Sequence, residues 1–218
     1  MTKTDMQKRH WDELDVLFIS ADAYVDHPSF AAALLGRLLE SKGYHVGIIA
    51  QPDWKDASAL TVMGKPRLCC MISGGNIDSM VAHYTSTRKK RSEDLYSPGG
   101  KAGFRPDRPT IVYSNLARQA FGDVPIIIGG LEASLRRLAH YDYWQDLVRK
   151  PILLDAKADL LSFGMGEHQC LEIVSRLDKG QKVSDMHDIQ GICYSVSQKE
   201  DLSKLPFEAV LQIGRAHV

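Results

Sequence analysis

No apolar run in these 218 residues approaches the roughly 20 that a bilayer-spanning helix requires, and the opening MTKTDMQKRHWDELD lacks the apolar stretch of a secretory signal. Those absences direct the expectation to the cytoplasm. Cysteine is scarce: Cys69, Cys70, Cys170 and Cys193 are the only four, without the density or spacing of a secreted disulfide framework. Spacing also argues against a metal site. Cys69 and Cys70 adjoin in an apolar segment, where strand geometry would turn them to opposite faces, and Cys170 and Cys193 have no companion two or three residues away. Acidic and basic residues number 27 each, so no whole-molecule field recruits nucleic acid. A GxGxxG fingerprint after the first apolar run is missing, because 22–29 contains no glycine, and NAD binding of the usual kind is thereby disfavoured. There is no internal repeat or long low-complexity tract.

What is present is an alternation. Apolar runs at 15–20, 45–50, 67–73, 124–128 and 159–163 read as buried strands, 151–154 as a shorter one, and 192–196 as a last strand. Between them lie helical patterns. Phe30, Ala31, Leu34, Leu35, Leu38 and Leu39 share one helix face, Pro28 suits a first helical position, and Gly43 suits the residue just past a helix end. A second helix is expected from GMGEH to about Leu177. Continuous apolar strands joined by helices imply an α/β fold, Rossmann-like and doubly wound, with a mostly parallel sheet covered on both faces. One long stretch, 84–109, is dense in charge, glycine and proline, which predicts a flap, a docking surface or disorder.

Ligands of such sheets bind outside the carboxyl ends of the strands, where the strand order reverses. The candidate binding residues therefore lie in four post-strand loops: Asp22, Asp26 and His27; Gly74, Gly75 and Asn76; Gly129, Gly130 and Glu132; and Gly164, Gly166 and Glu167. Glycine there lets a phosphate or a flat cofactor approach the backbone, and helix N-termini offer N–H donors. The same glycines also serve as plain tight turns. Two of Asp22, Asp26, Glu132 and Glu167 could converge as acid and base or hold a cation, or each could act as a helix cap or ion pair. His27 could titrate beside a ligand or stabilise a turn, and its adjacency to Asp26 does not match the Asp-x-His-x-x-Gly of histidine-on cobalamin domains. The run Arg88–Arg91 with Tyr84, Tyr96 and Phe104 could bind RNA, although Glu93 and Asp94 follow at once. Arg136, Arg137, His140, Tyr141, Asp142, Tyr143 and Trp144 form a mixed basic and aromatic segment that could bind an anionic, planar ligand or, the favoured reading, dock another domain.

The motifs DAYVDHPSF, VGIIAQPDW, SGGNIDSMVAHYTSTRKKRSEDLYSPGG, RPDRPTIVYSN, VPIIIGGLEASLRRLAHYDYW and DAKADLLSFGMGE, taken in order, resemble the N-terminal region of the YgiQ family of radical SAM proteins along nearly the whole chain. The resemblance implies that 1–212 is an accessory, cobalamin-binding-domain-like unit. It implies a radical SAM barrel as partner in cis, with a CxxxCxxC loop holding a 4Fe-4S cluster that cleaves S-adenosylmethionine. No CxxxCxxC occurs in these residues, so this chain by itself is expected to be inactive. Residues 213–218 can be reverse-translated into the start of a common sequencing adapter, and the expectation is that they are non-native. A stand-alone corrinoid- or nucleotide-binding module, or an RNA-binding domain, are the alternatives.

Overall fold

The computed structural model describes residues 2–196. The expected non-native tail lies outside the described residues. Strands are β1 (Val16–Ser20), β2 (Val46–Ala50), β3 (Cys69–Ser73), β4 (Ile126–Gly129), β5 (His140–Asp142), β6 (Leu147–Arg149), β7 (Leu160–Ser162) and β8 (Ile192–Cys193). Helices are α1 (Lys3–Lys8), α2 (Ala31–Glu40), α3 (Ser79–His83), α4 (Pro109–Phe121), α5 (Gly130–Leu135), α6 (Ile152–Asp155) and α7 (Glu167–Asp178). Six strands form one sheet in the order β2-β1-β3-β4-β7-β8. All neighbours run parallel except β8, which is antiparallel to β7; β5 and β6 pair as a separate hairpin.

Each strand is apolar on both sides because helices cover both. Along β1, Leu17 and Ile19 enter one core while Val16 and Phe18 enter the other, and Cys70 and Cys69 part in the same way on β3. The first core closes beneath Tyr113, Ala117 and Phe121, which recur every four residues on one face of α4. The second closes beneath Ala32 and Leu39 of α2 and Cys170, Ile173 and Val174 of α7. The result is the expected doubly wound, three-layer α/β fold.

Three local expectations change. Residues 151–154 belong to a helix: Pro151 occupies the cap of α6, and Ile152 and Leu153 are buried under the sheet. A four-residue apolar run carries no period long enough to tell strand from helix. Pro28 lies upstream of the α2 cap, Phe30, in a turn closed by Phe30 N–H donating to His27 O. The 84–109 stretch is built into the fold, with antiparallel bridges Tyr84–Lys90 and Glu93–Lys101, a turn of 3-10 helix at Pro98–Gly100, and Asp94, Ser97 and Arg105 buried.

Candidate functional site at the strand carboxyl ends

Because β1, β3, β4 and β7 run parallel, the loops that follow them gather on one edge of the sheet. Between β4, β7 and the N-terminal ends of α2 and α7 lies a cavity of about 90 Å³. Its walls are Phe18, Met71 and Ile127 from the sheet, Ala32 and Leu35 from α2, and Cys170 from α7. Gly129, Gly130, Gly164 and Gly166 line it, so the structure brings four of the expected residues together. Gly130 has φ +80°, and a Cβ there would stand 2.7 Å from Ser73 Oγ, so only glycine fits the close passage of the β4–α5 turn over β3.

Asp22, Gly75 and Asn76 meet beside this cavity, in a recess of about 10 Å³ that shares Ala31, Ala32 and Ser73 with it. The strand order reverses here, with β2 on one flank of β1 and β3 on the other, and this switch point is where doubly wound sheets usually take ligands. The chain's own long loop fills it. Arg105 Nη1 donates to Asp22 Oδ1 at 2.9 Å, while its Nε and Nη2 donate to Asp94 at 2.8 and 2.7 Å. The Arg105 side chain is 0% exposed. Asn76 N–H donates to the other Asp22 oxygen at 2.7 Å, and Gln51 and Ala23 N–H hold Tyr96 O. One guanidinium thus serves two buried carboxylates. Burial pushes the Asp22 carboxyl up to about 6 despite Asn76 and Arg105. Burial also pushes Asp94 up, but the Tyr96 N–H, the Ser97 hydroxyl and Arg105 outweigh it and hold Asp94 below the usual range.

Glu132 is fully buried and does not join Asp22. Its Oε2 accepts from Ser79 N–H and its Oε1 from Thr110 N–H, both at 3.2 Å, so it ties together the first turns of α3 and α4. Gly74 packs on it, since a Cβ there would lie 2.9 Å from Glu132 Cβ. Asp26 is exposed and ion-pairs with Arg37, and His27 Nδ1 accepts from Ser29 N–H; both serve the turn and neither lines the cavity. Glu167 lies in the first turn of α7 and does not line the cavity either. Among the described residues no two of these four carboxylates share a hydrogen-bond partner, so the expected pairing of two of them does not form.

The basic and aromatic segments engage each other. The Arg88 guanidinium sits 4.5 Å from the Tyr143 ring centroid, Arg91 Nε donates to Tyr84 O, and Tyr84 OH donates to Asp107. Arg136 pairs with Asp78, and Arg108 with Asp142 at 2.5 Å. The thiols do not suit an iron–sulfur cluster. Burial pushes Cys70 and Cys170 up to about 12 and Cys69 well above the usual thiol range, against the thiolate a metal needs. Among the described residues no three His, Cys, Asp or Glu side chains gather as a metal requires. No helix among them is long and apolar enough to cross a membrane.

Comparison with known proteins places these features. The family model described as Radical SAM N-terminal matches residues 1–216. A UPF0313 protein of Thermotoga neapolitana is 52% identical over 200 residues, covering 92% of this chain and 35% of the relative. One of Methanocella arvoryzae is 50% identical over 220 residues, covering 99% and 37%. One of Rhodopseudomonas palustris is 53% identical over 192 residues, covering 88% and 28%. The chain thus spans about a third of the length of these relatives. Among solved structures, the radical S-adenosylmethionine methyltransferase TsrM of Kitasatospora setae, bound to tryptophan and a SAM analogue, matches with TM-score 0.56 and 15% identity over 83% of this chain and 28% of that one. That likeness concerns the fold alone.

Proposed function

The chain belongs to the Radical SAM N-terminal family, in the YgiQ group of UPF0313 proteins, and from this we propose that it is the accessory N-terminal domain of a cytoplasmic radical SAM enzyme dependent on a 4Fe-4S cluster. The observation that carries the reading is the family match along 1–216. In such an enzyme the cluster and S-adenosylmethionine supply a carbon radical. These residues offer the cluster no ligands, so their part is to scaffold and dock.

The docking face is the carboxyl edge and the hairpin beside it. Met165 is 80% exposed and Leu135 61%, with Leu131, Leu138, Tyr141 and Val148 also open to solvent. Large apolar side chains left exposed favour an interaction surface, and these belong to α5, the segment leading into the β5–β6 hairpin, the hairpin itself and the loop after β7, elements that follow the sheet's carboxyl edge. A catalytic barrel in cis is the occupant we assign. The test is anaerobic reconstitution of the full-length protein with iron and sulfide, followed by measurement of 5′-deoxyadenosine formed from S-adenosylmethionine under reducing conditions. Cleavage is the expected result. A spectroscopically intact cluster that cleaves no S-adenosylmethionine would overturn the proposal.

A further inference from the structure

Ser162 ends β7, is 7% exposed, and its Oγ is buried with no hydrogen-bond partner among the described residues. Buried hydroxyls are nearly always satisfied, so an orphan of this kind asks for a partner that the described residues do not supply. The residue lines the 90 Å³ cavity, and a Cβ added to Gly166 would stand 3.5 Å from that oxygen. Helix α7, 12 residues long, begins at the same place with Gly166 as its cap and no side-chain hydrogen bond to close its first turn. Its leading N–H groups therefore favour an acceptor there. Ser73, the other hydroxyl on the wall, is already engaged by Gly75 N–H at 3.2 Å.

The depth of the cavity has a different character. Phe18, Met71, Ile127, Ala32 and Leu35 line it, and among the described residues no charged side chain does. A phosphate or carboxylate seated there would lose water without meeting a counter-charge, which disfavours an anion. A single water needs roughly 10–15 Å³ by a comparable measure, so the space admits a ring of several heavy atoms. We infer that this cavity binds an uncharged heteroaromatic ring, its faces against the apolar walls and an acceptor nitrogen on its edge turned to Ser162 Oγ and the start of α7. This site lies beside the Arg105-filled switch point, on the same carboxyl edge that carries the proposed docking face.

The probe pair is azaindole and indole, which share a shape and differ in one ring nitrogen that accepts. Titrated into the isotope-labelled chain, azaindole should shift the amides of Gly129, Gly130, Gly164 and Gly166 with a dissociation constant on the order of 1 mM, as suits about nine heavy atoms. Indole should bind roughly fivefold more weakly, since it lacks the ring acceptor and leaves the buried Ser162 hydroxyl donor unmet. Ser162→Ala should erase that difference. Gly166→Ala should weaken azaindole about tenfold by filling the space before Ser162, and its φ of −82° accepts alanine without strain. Equal binding of the two rings, shifts confined to other amides, no shifts at about 10 mM, or the same shifts with inorganic phosphate would each overturn the inference. Should Gly166→Ala fail to fold, the wild-type comparison and Ser162→Ala decide alone. None of these readouts involves the cluster or S-adenosylmethionine, so this inference and the radical SAM reading can fail separately.

Discussion

Arg105 is the residue on which the edge of the sheet turns. Nothing in its local sequence marks it, for it sits in a loop among arginines and prolines, and only the fold shows it fully buried between Asp22 and Asp94. Removing one partner of a buried ion pair leaves an uncompensated charge and costs about 3–5 kcal/mol. Arg105→Met should therefore lower unfolding stability by that order in urea titration, whereas Arg88→Met, on the exposed ring of Tyr143, should change it by less than about 1 kcal/mol. Asp22 adds a pH signature. Its folded pKa of about 6 lies above the ordinary 3.8, so the folded state holds a proton that the unfolded chain has released between about pH 4 and 6. That contribution is complete below about pH 4 and is lost as pH rises through 6; Asp94, held low, works in the opposite sense at more acidic pH. The stability of the wild type relative to Asp22→Asn should accordingly fall as pH rises from about 4 to about 7. A difference that stayed constant would mean Asp22 is charged throughout.

At the scale of elements, Glu132 explains why three short segments lock together. It belongs to α5, yet its carboxylate caps α3 and α4, which alone have no comparable acceptor for Ser79 N–H and Thr110 N–H. Glu132→Ala leaves two buried donors unmet, each worth about 1–3 kcal/mol. Glu132→Gln keeps one acceptor and should retain part of the stability, a ranking that denaturation of the two variants checks. The carboxylate was visible in the sequence as a candidate, but its role was not, because capping by a residue more than 20 positions away depends on how the loops meet. Gly75 has φ +97°, and a Cβ there would fall 2.1 Å from Asp22 Oδ1, so Gly75→Ala should disturb both the loop and the Arg105 pairing. The strands of the main sheet are legible, since apolar runs bounded by turn residues need only local pattern, although the same pattern at 151–154 folds as α6. Helix α4 was not read, for its β-branched Thr110, Ile111 and Val112 obscure a face made by Tyr113, Ala117 and Phe121. The β5–β6 hairpin was missed because its alternation spans only three residues a side.

For the whole molecule, the proposed docking face gives a prediction of its own. Met165→Asp and Leu135→Asp sit on exposed positions and should leave the melting temperature nearly unchanged. In the full-length protein they should lower 5′-deoxyadenosine formation several-fold if the face meets the barrel; unaltered turnover would remove that face from the interface. The sequence by itself determined the fold class and the edge on which the expected loops gather, because both follow from hydrophobic period and strand order of type. It also carried the family likeness, which rests on long runs of matching residues. Only the tertiary structure decided which of those loop residues meet. Gly129, Gly130, Gly164 and Gly166 share a cavity, Asp22 is tied to Arg105, and Glu132 is turned away to cap two helices. The physical reason is that periodicity reports which face of an element is buried, while hydrogen bonds and ion pairs between loops depend on where distant segments come to rest.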